Sequence, residues 1–186
     1  MQKLQKGFWH YLELWRALFP RRRPLRWRGD WLQNGYCRDC RYCCGPQDSN
    51  VPFPMALLPG QLRPNLSDDF YLLNADTAYL DARGCKSDTD HGCRLMRAQR
   101  PVACGLFPLV PANGSLYLYK TCPAVIFTPL DRLADLGLEA ARWLSGFNLA
   151  DLRHISLELP LRTLADHYIS LNITLFDENG VELRLN

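Results

Sequence analysis

Cys37-Arg38-Asp39-Cys40-Arg41-Tyr42-Cys43-Cys44 places four sulfurs within eight residues, two of them adjacent. A thiolate holds a metal well only when its neighbours are fixed at ligand distance. Cysteines three residues apart reach that distance readily, because a tight loop turns both side chains to one point. The spacing occurs twice in succession, Cys37 to Cys40 and Cys40 to Cys43. Ligands at i, i+3 and i+6 also form the run by which small ferredoxins grip a cubane cluster. A buried thiol or a disulfide accounts for an isolated cysteine but not for this density, so the stretch points to a metal or cluster.

Working outward, Cys85, Cys93, Cys104 and Cys122 complete a set of eight, with none before residue 37 or after residue 122. The chain therefore divides into a basic, aromatic N-terminal helix and linker over 1–34, a cysteine-cluster module over 35–125, and a helical and hairpin extension of the same domain over 126–186. Cations crowd the sulfurs: Arg38, Arg41, Lys86, Arg94, Arg97, Arg100 and Lys120. Positive neighbours lower thiol pKa and offset the charge that several thiolates bring to a metal. Two or three of them are expected to face the site and the rest to face water.

The 186 residues suffice for a sizeable core, and 47% hydrophobic with 22% charged residues reads as a globular chain. The net charge of +3 hides an asymmetry. Residues 1–30 carry eight Lys/Arg against Glu13 and Asp30, whereas the remainder carries 14 against 17 acidic residues. No segment is apolar for long enough to span a bilayer. The apolar stretch from Phe8 to Phe19 is broken by His10, Glu13 and Arg16 and is followed by Arg21-Arg22-Arg23, unlike a secretory signal. The expected compartment is the reducing cytoplasm, where clustered cysteines mean metal rather than disulfides.

Hydrophobic periodicity gives an α+β expectation: a small irregular cysteine-rich metal-binding core with flanking amphipathic helices and short hairpins. Phe8, Leu12, Trp15 and Phe19 share one face of a helix over 7–19. Its basic, aromatic character would suit a membrane surface or nucleic acid, but the wide apolar surface favours packing on its own domain. Pro46, Pro52, Pro54, Pro59 and Pro64 discourage regular structure over 45–66, which is read as an ordered loop over the site. Phe70 to Leu73 reads as a short strand and Asn74-Ala75-Asp76 as a turn. Arg94 to Arg100 reads as one or two helical turns, reset by Pro101. Leu106 to Val110 is expected to face Leu116 to Tyr119 across Asn113-Gly114. A second amphipathic helix is expected over 130–145, a strand with Ile155, Leu157 and Leu159, and a helix from Pro160 carrying Leu161, Leu164, Ala165 and Tyr168. Ile173 to Phe176 and Val181 to Leu185 flank a terminal hairpin turn.

The order Cys37-x-x-Cys40-x-x-Cys43-Cys44, Cys85, Cys93, Arg100-Pro101-x-x-Cys104-x-x-Phe107-Pro108 and Cys122-Pro123 resembles the CxxCxxCC family of zinc- or iron-chelating cysteine-cluster proteins. The resemblance covers roughly residues 35–125. It implies that all eight cysteines are candidate ligands. The family also includes flagellin lysine methylases, in which the cysteine module belongs to a longer protein.

The residues themselves leave the metal open. No second CxxC exists outside the run, and three consecutive ligands with a distant Cys-Pro suit an iron–sulfur cluster slightly better than zinc. Zinc accepts an all-cysteine tetrahedral shell without demanding one spacing, so two four-ligand sites are an alternative. Cys37, Cys40 and Cys43 are expected to share a centre with at least one of the later four. Cys44, whose side chain diverges from that of Cys43, serves a second centre or none. His91 is the one histidine placed to compete as a ligand, and a solvated loop residue is the simpler reading. Two alternatives to a metal-binding protein stand: a redox or protein-modifying enzyme related to the methylases, and an adaptor docking a protein partner through the N-terminal helix. Against the enzyme, no glycine-rich nucleotide loop and no Ser/His/Asp or HExxH signature appears. Asp68, Asp69, Asp88 and Asp90 fit turns and loops.

Overall fold

The computed structural model describes residues 25–35, 43–45 and 53–184. The expected helix over 7–19, the Arg21–Arg23 cluster, Cys37, Cys40, Pro46, Pro52 and Leu185 lie outside the described residues. Helices and antiparallel sheets are mixed, an α+β fold. No helix among the described residues is long and apolar enough to cross a membrane.

The first described element is a hairpin that the periodicity did not reveal, β1 (Leu25–Trp27) with β2 (Leu32–Asn34). Leu25 and Leu32 are buried in the main core. The next unit is a three-stranded sheet in the order β3-β5-β4, from β3 (Phe53–Ala56), β4 (Tyr71–Leu72) and β5 (Thr77–Leu80). The short helix α1 (Leu66–Asp69) precedes β4. The proline-rich segment is thus partly a strand, contrary to the sequence expectation. Pro54 is tolerated because β3 borders the sheet, where a residue with no N–H to donate breaks no ladder. Asn74 Oδ1 accepts the Asp76 N–H at 3.0 Å and closes the expected turn. Met55, Leu57, Leu66, Phe70, Ala78, Leu80 and Leu95 form the small core of this unit.

A two-stranded ribbon follows, β6 (Asp88–Thr89) with β7 (Gly92–Cys93). A 3-10 turn spans Arg97–Gln99, and Pro101 resets the chain into α2 (Val102–Leu106), as the sequence suggests. The hairpin β8 (Leu109–Ala112) with β9 (Ser115–Tyr119) turns through Asn113 and Gly114, whose φ of 47° and 76° are the two positive values a type I′ turn needs. Its first strand begins later than expected. Leu106 belongs to α2, and Phe107, the residue before Pro108, is forced to an extended ψ of 130° that ends the helix.

The main core gathers under α4 (Leu130–Leu144), reached from β9 through the single turn α3 (Pro123–Ile126). Leu133, Leu136, Gly137, Ala140 and Leu144 are its buried stripe, as the 3.6-residue period requires. The expected strand around Ile155 is instead the end of a helix, α5 (Leu149–Ile155). Asn148 caps it by accepting the Asp151 N–H at 2.9 Å, while Leu152 and Ile155 fall one turn apart on the buried face. Only Leu157 bridges, parallel to Ala112. The helix from Pro160 is α6 (Leu161–His167), and Tyr168 begins a strand rather than ending that helix. This strand, β10 (Tyr168–Thr174), pairs with β9 to complete the sheet β10-β9-β8. Leu183 N–H donates to Leu175 O at 2.9 Å, and Phe176 pairs with Glu182, so the terminal reversal is present.

Candidate metal centre

Cys44 and Cys85 are brought together by a backbone contact between segments far apart in sequence. Cys43 and Cys44 lie in a tight turn with Gly45, and Cys44 O accepts the N–H of Cys85 at 2.9 Å. The residue before Cys85 makes this approach feasible. Gly84 has φ +75°, and a Cβ built on it would stand 3.0 Å from both Cys44 O and Gly45 C. Glycine alone carries no atom there. Upstream, Arg83 Nε donates to Asp81 at 3.1 and 3.0 Å, and its guanidinium lies 3.8 Å from the Tyr71 ring centre, fixing the turn that delivers Cys85.

From Cys85 the chain curls so that the Asp88 N–H donates to Cys85 O at 3.2 Å, and the backbone N–H groups of Ser87 and Asp88 favour the thiolate. Burial pushes the Cys85 thiol up, and the charges of Cys44 and Cys93 add to the rise, while those two N–H groups work against it. Cys93 enters from β7 opposite Asp88. The ribbon is held from beneath: buried Ser87 donates to Asp69 O at 2.9 Å, and Arg94 pairs with Asp69 Oδ1 at 2.7 Å. Arg63 takes the other carboxylate oxygen at 2.6 Å. Asp69 is therefore a structural cross-brace, and His91 is an exposed loop residue between the ribbon strands.

Cys104 lies inside α2, whose first turn is set by Pro101. Its thiol is pushed well up, first by burial, then by the charges of Cys44, Cys85 and Cys93, with Arg100 pulling the other way. The side chain is nonetheless exposed to solvent. Surface area decides what a reagent can touch, whereas the density of surrounding atoms decides how poorly a charge is solvated. Cys85, Cys93 and Ala103, the residue before Cys104, all pack against the same small core, which agrees with this convergence.

Cys44 and Cys93 thus act electrostatically on Cys85, and Cys44, Cys85 and Cys93 on Cys104, from four separate segments. Among the described residues, however, no three His, Cys, Asp or Glu side chains are drawn close enough to hold one ion. Cys43 is half-buried in the turn beside Cys44, and Cys122 is buried in the main core at the start of α3. Of the described cations, Arg100 acts on a sulfur. Lys86 donates to Ser67 O at 2.8 Å, Arg94 is taken by Asp69, Arg97 lies over Trp31, and Lys120 reaches Ala165 O. Sequence reasoning gave Cys44 the least defined part and missed its partner, although Gly84-Cys85 carries the signal: a glycine where a close backbone approach is needed.

No family model, no curated protein and no solved structure matches this chain.

Proposed function

We propose that the chain is a metal-binding protein whose cysteine cluster holds zinc or an iron–sulfur centre, with Cys37, Cys40, Cys43, Cys44, Cys85, Cys93, Cys104 and Cys122 as the candidate ligands. The observation that carries this reading is the backbone clasp that brings Cys44 to Cys85, next to the ribbon that carries Cys93, with Cys85, Cys93 and Ala103 packed on one small core. Gathering several thiolates is unfavourable unless a cation neutralises them, so such a cluster is a poor way to build a core and a good way to build a metal site. The donor set suits both centres, since all-sulfur shells serve tetrahedral zinc and cubane clusters alike. Hydrogen bonds to a ligand sulfur lower its charge density and tune such a centre. The order of cysteines along the chain supports kinship with the CxxCxxCC family.

Anaerobic purification of the full chain, with metal and acid-labile sulfide analysis and an absorption spectrum, tests the proposal. Bound zinc or iron is expected, and Cys85→Ser and Cys93→Ser are expected to lose it, because the hydroxyl stays protonated near neutral pH and is a poor soft-metal ligand. A chain that neither contains nor takes up either metal ends the reading.

A further inference from the structure

One face of the β1–β2 hairpin belongs to the core. Leu25 and Leu32 are buried there, and Trp27 packs on Trp143 with ring centres 5.8 Å apart. The other face carries Arg26, which stands opposite Gln33 in the ladder, and Arg28, whose Nε donates to Gln33 Oε1 at 2.8 Å. At the end of the hairpin Trp31 O accepts the Arg28 N–H at 2.8 Å, and the guanidinium of Arg97 lies 3.1 Å from the centre of the Trp31 ring. Arg26, Arg28 and Arg97 are exposed, and among the described residues none of them forms an ion pair. Arg63, Arg83 and Arg94 show the contrast, each tied to an aspartate. Asp30, in the hairpin turn, is the one acidic residue from 25 to 34.

We propose that this face binds single-stranded nucleic acid, with Arg26, Arg28 and Arg97 on its phosphates. The inference stands apart from the metal-binding reading. Two of the three cations are oriented by neutral partners: Gln33 holds Arg28 through Nε, and the Trp31 ring supports the flat side of Arg97. Neither contact uses the outer N–H groups, which are left for the paired bonds that a phosphate accepts. Arg26 and Arg28 lie two residues apart, about 7 Å along the strand, a step that an extended nucleic acid strand can follow. The hairpin cannot enter a major groove as a free ribbon, because its inner face is in the core, whereas a single strand can lie across its outer face. A bilayer would also offer phosphates, but the hairpin has no exposed apolar side chain to insert, since Trp27 is turned inward and Trp31 lies under Arg97. Residues 1–30, which include Arg26 and Arg28, carry eight Lys/Arg against two acidic residues, a balance that suits a polyanion.

The test is fluorescence anisotropy with the full chain and a labelled, mixed-sequence single-stranded RNA of about 20 nucleotides. Arg26→Ala/Arg28→Ala is expected to weaken binding about tenfold at low salt. It should also make the plot of log affinity against log salt shallower by about 1.4, two contacts at about 0.7 each. Arg97→Ala, on a separate segment, should weaken binding about threefold. Arg142→Ala removes an exposed arginine from α4 and should change nothing. The replaced side chains are exposed, so matched thermal melts are expected. A chain that does not bind the RNA overturns the inference, as does a double variant that binds like the wild type. Equal weakening by Arg142→Ala, or tighter binding to a duplex of the same length, overturns it too. So does a loss in the variants confined to phosphatidylserine vesicles. Metal content separates these outcomes from the metal-binding reading, which none of them touches.

Discussion

Gly84→Ala tests whether the clasp between the two cysteine-bearing segments holds the site together. Two costs combine. At φ +75° a side chain occupies the left-handed region, which costs alanine about 1 kcal/mol. The new Cβ would also meet Cys44 O and Gly45 C, each at 3.0 Å. Both are backbone atoms, so no rotamer change relieves the contact and the segments must part. Parting them stretches the 2.9 Å bond from Cys85 N–H to Cys44 O, worth about 1 kcal/mol. The expected loss is about 2–3 kcal/mol. Gly180→Ala is the control. Its φ of +74° is nearly the same, but nothing lies within 4 Å of its Cβ, so only the conformational cost of about 1 kcal/mol applies. The difference between the variants isolates the contact itself. Urea midpoints of the metal-free proteins measure it, and competition with a chromophoric chelator measures metal affinity. Gly84→Ala should weaken binding about tenfold, the equivalent of about 1.4 kcal/mol, and Gly180→Ala should not. Equal stability losses would refute the steric argument. A large stability loss with unchanged affinity would separate the clasp from the centre.

Burial, and after it the charge of Tyr119, pushes the Tyr168 hydroxyl up to about 12 from the ordinary 10.0. The folded chain therefore holds this proton more tightly than the unfolded one. The stability it contributes is complete below pH 10 and is lost as the pH rises towards 12. Partial solvent contact reduces the loss to on the order of 1–2 kcal/mol, and Tyr168→Phe should abolish it in urea midpoints compared at about pH 9 and pH 11.5. Asn148→Ala should destabilise the fold by about 1 kcal/mol through loss of the α5 cap, whereas Asn148→Asp should retain the cap; thermal melts distinguish them. Chelation should open new protease sites between residues 45 and 84 before any appear in α4. The small core there would lose its sulfur anchor while the Leu133–Leu144 stripe keeps its packing. An unchanged digestion pattern after metal removal would make the centre a passenger in the fold.

The elements that the sequence displays openly are those whose signal is local. The α4 stripe repeats at 3.6 residues, and Asn113-Gly114 can supply two positive φ values, so each is readable within one window. The β1–β2 hairpin escaped because its strands are three residues long, too short to show alternation, and its burial comes from partners such as Val102 and Leu106. Ile155, Leu157 and Leu159 alternate like a strand, yet Asn148 with Asp151 three residues on is a cap-and-first-turn pair, and the helix it starts runs through Ile155 before the alternation can matter.

The site shows the same division. Cysteine number and spacing speak of a metal, but which sulfurs meet depends on contacts between segments some forty residues apart, such as Cys44 with Cys85, to which no local pattern is tied. The Arg100-Pro101-x-x-Cys104 stretch makes the point sharply. Read as a motif, it marks a cation beside a thiol. In the fold, Pro101 caps α2, Cys104 N–H donates to Pro101 O at 2.9 Å, and Arg100 is tethered to Leu95 O, so the stretch fixes where Cys104 stands in the first turn. Pro101 lacks an N–H and has a preset φ, which places Cys104 in the first turn without a capping side chain. The chemistry of Cys104 is therefore set by its neighbours in sequence, and its partners are set by the fold.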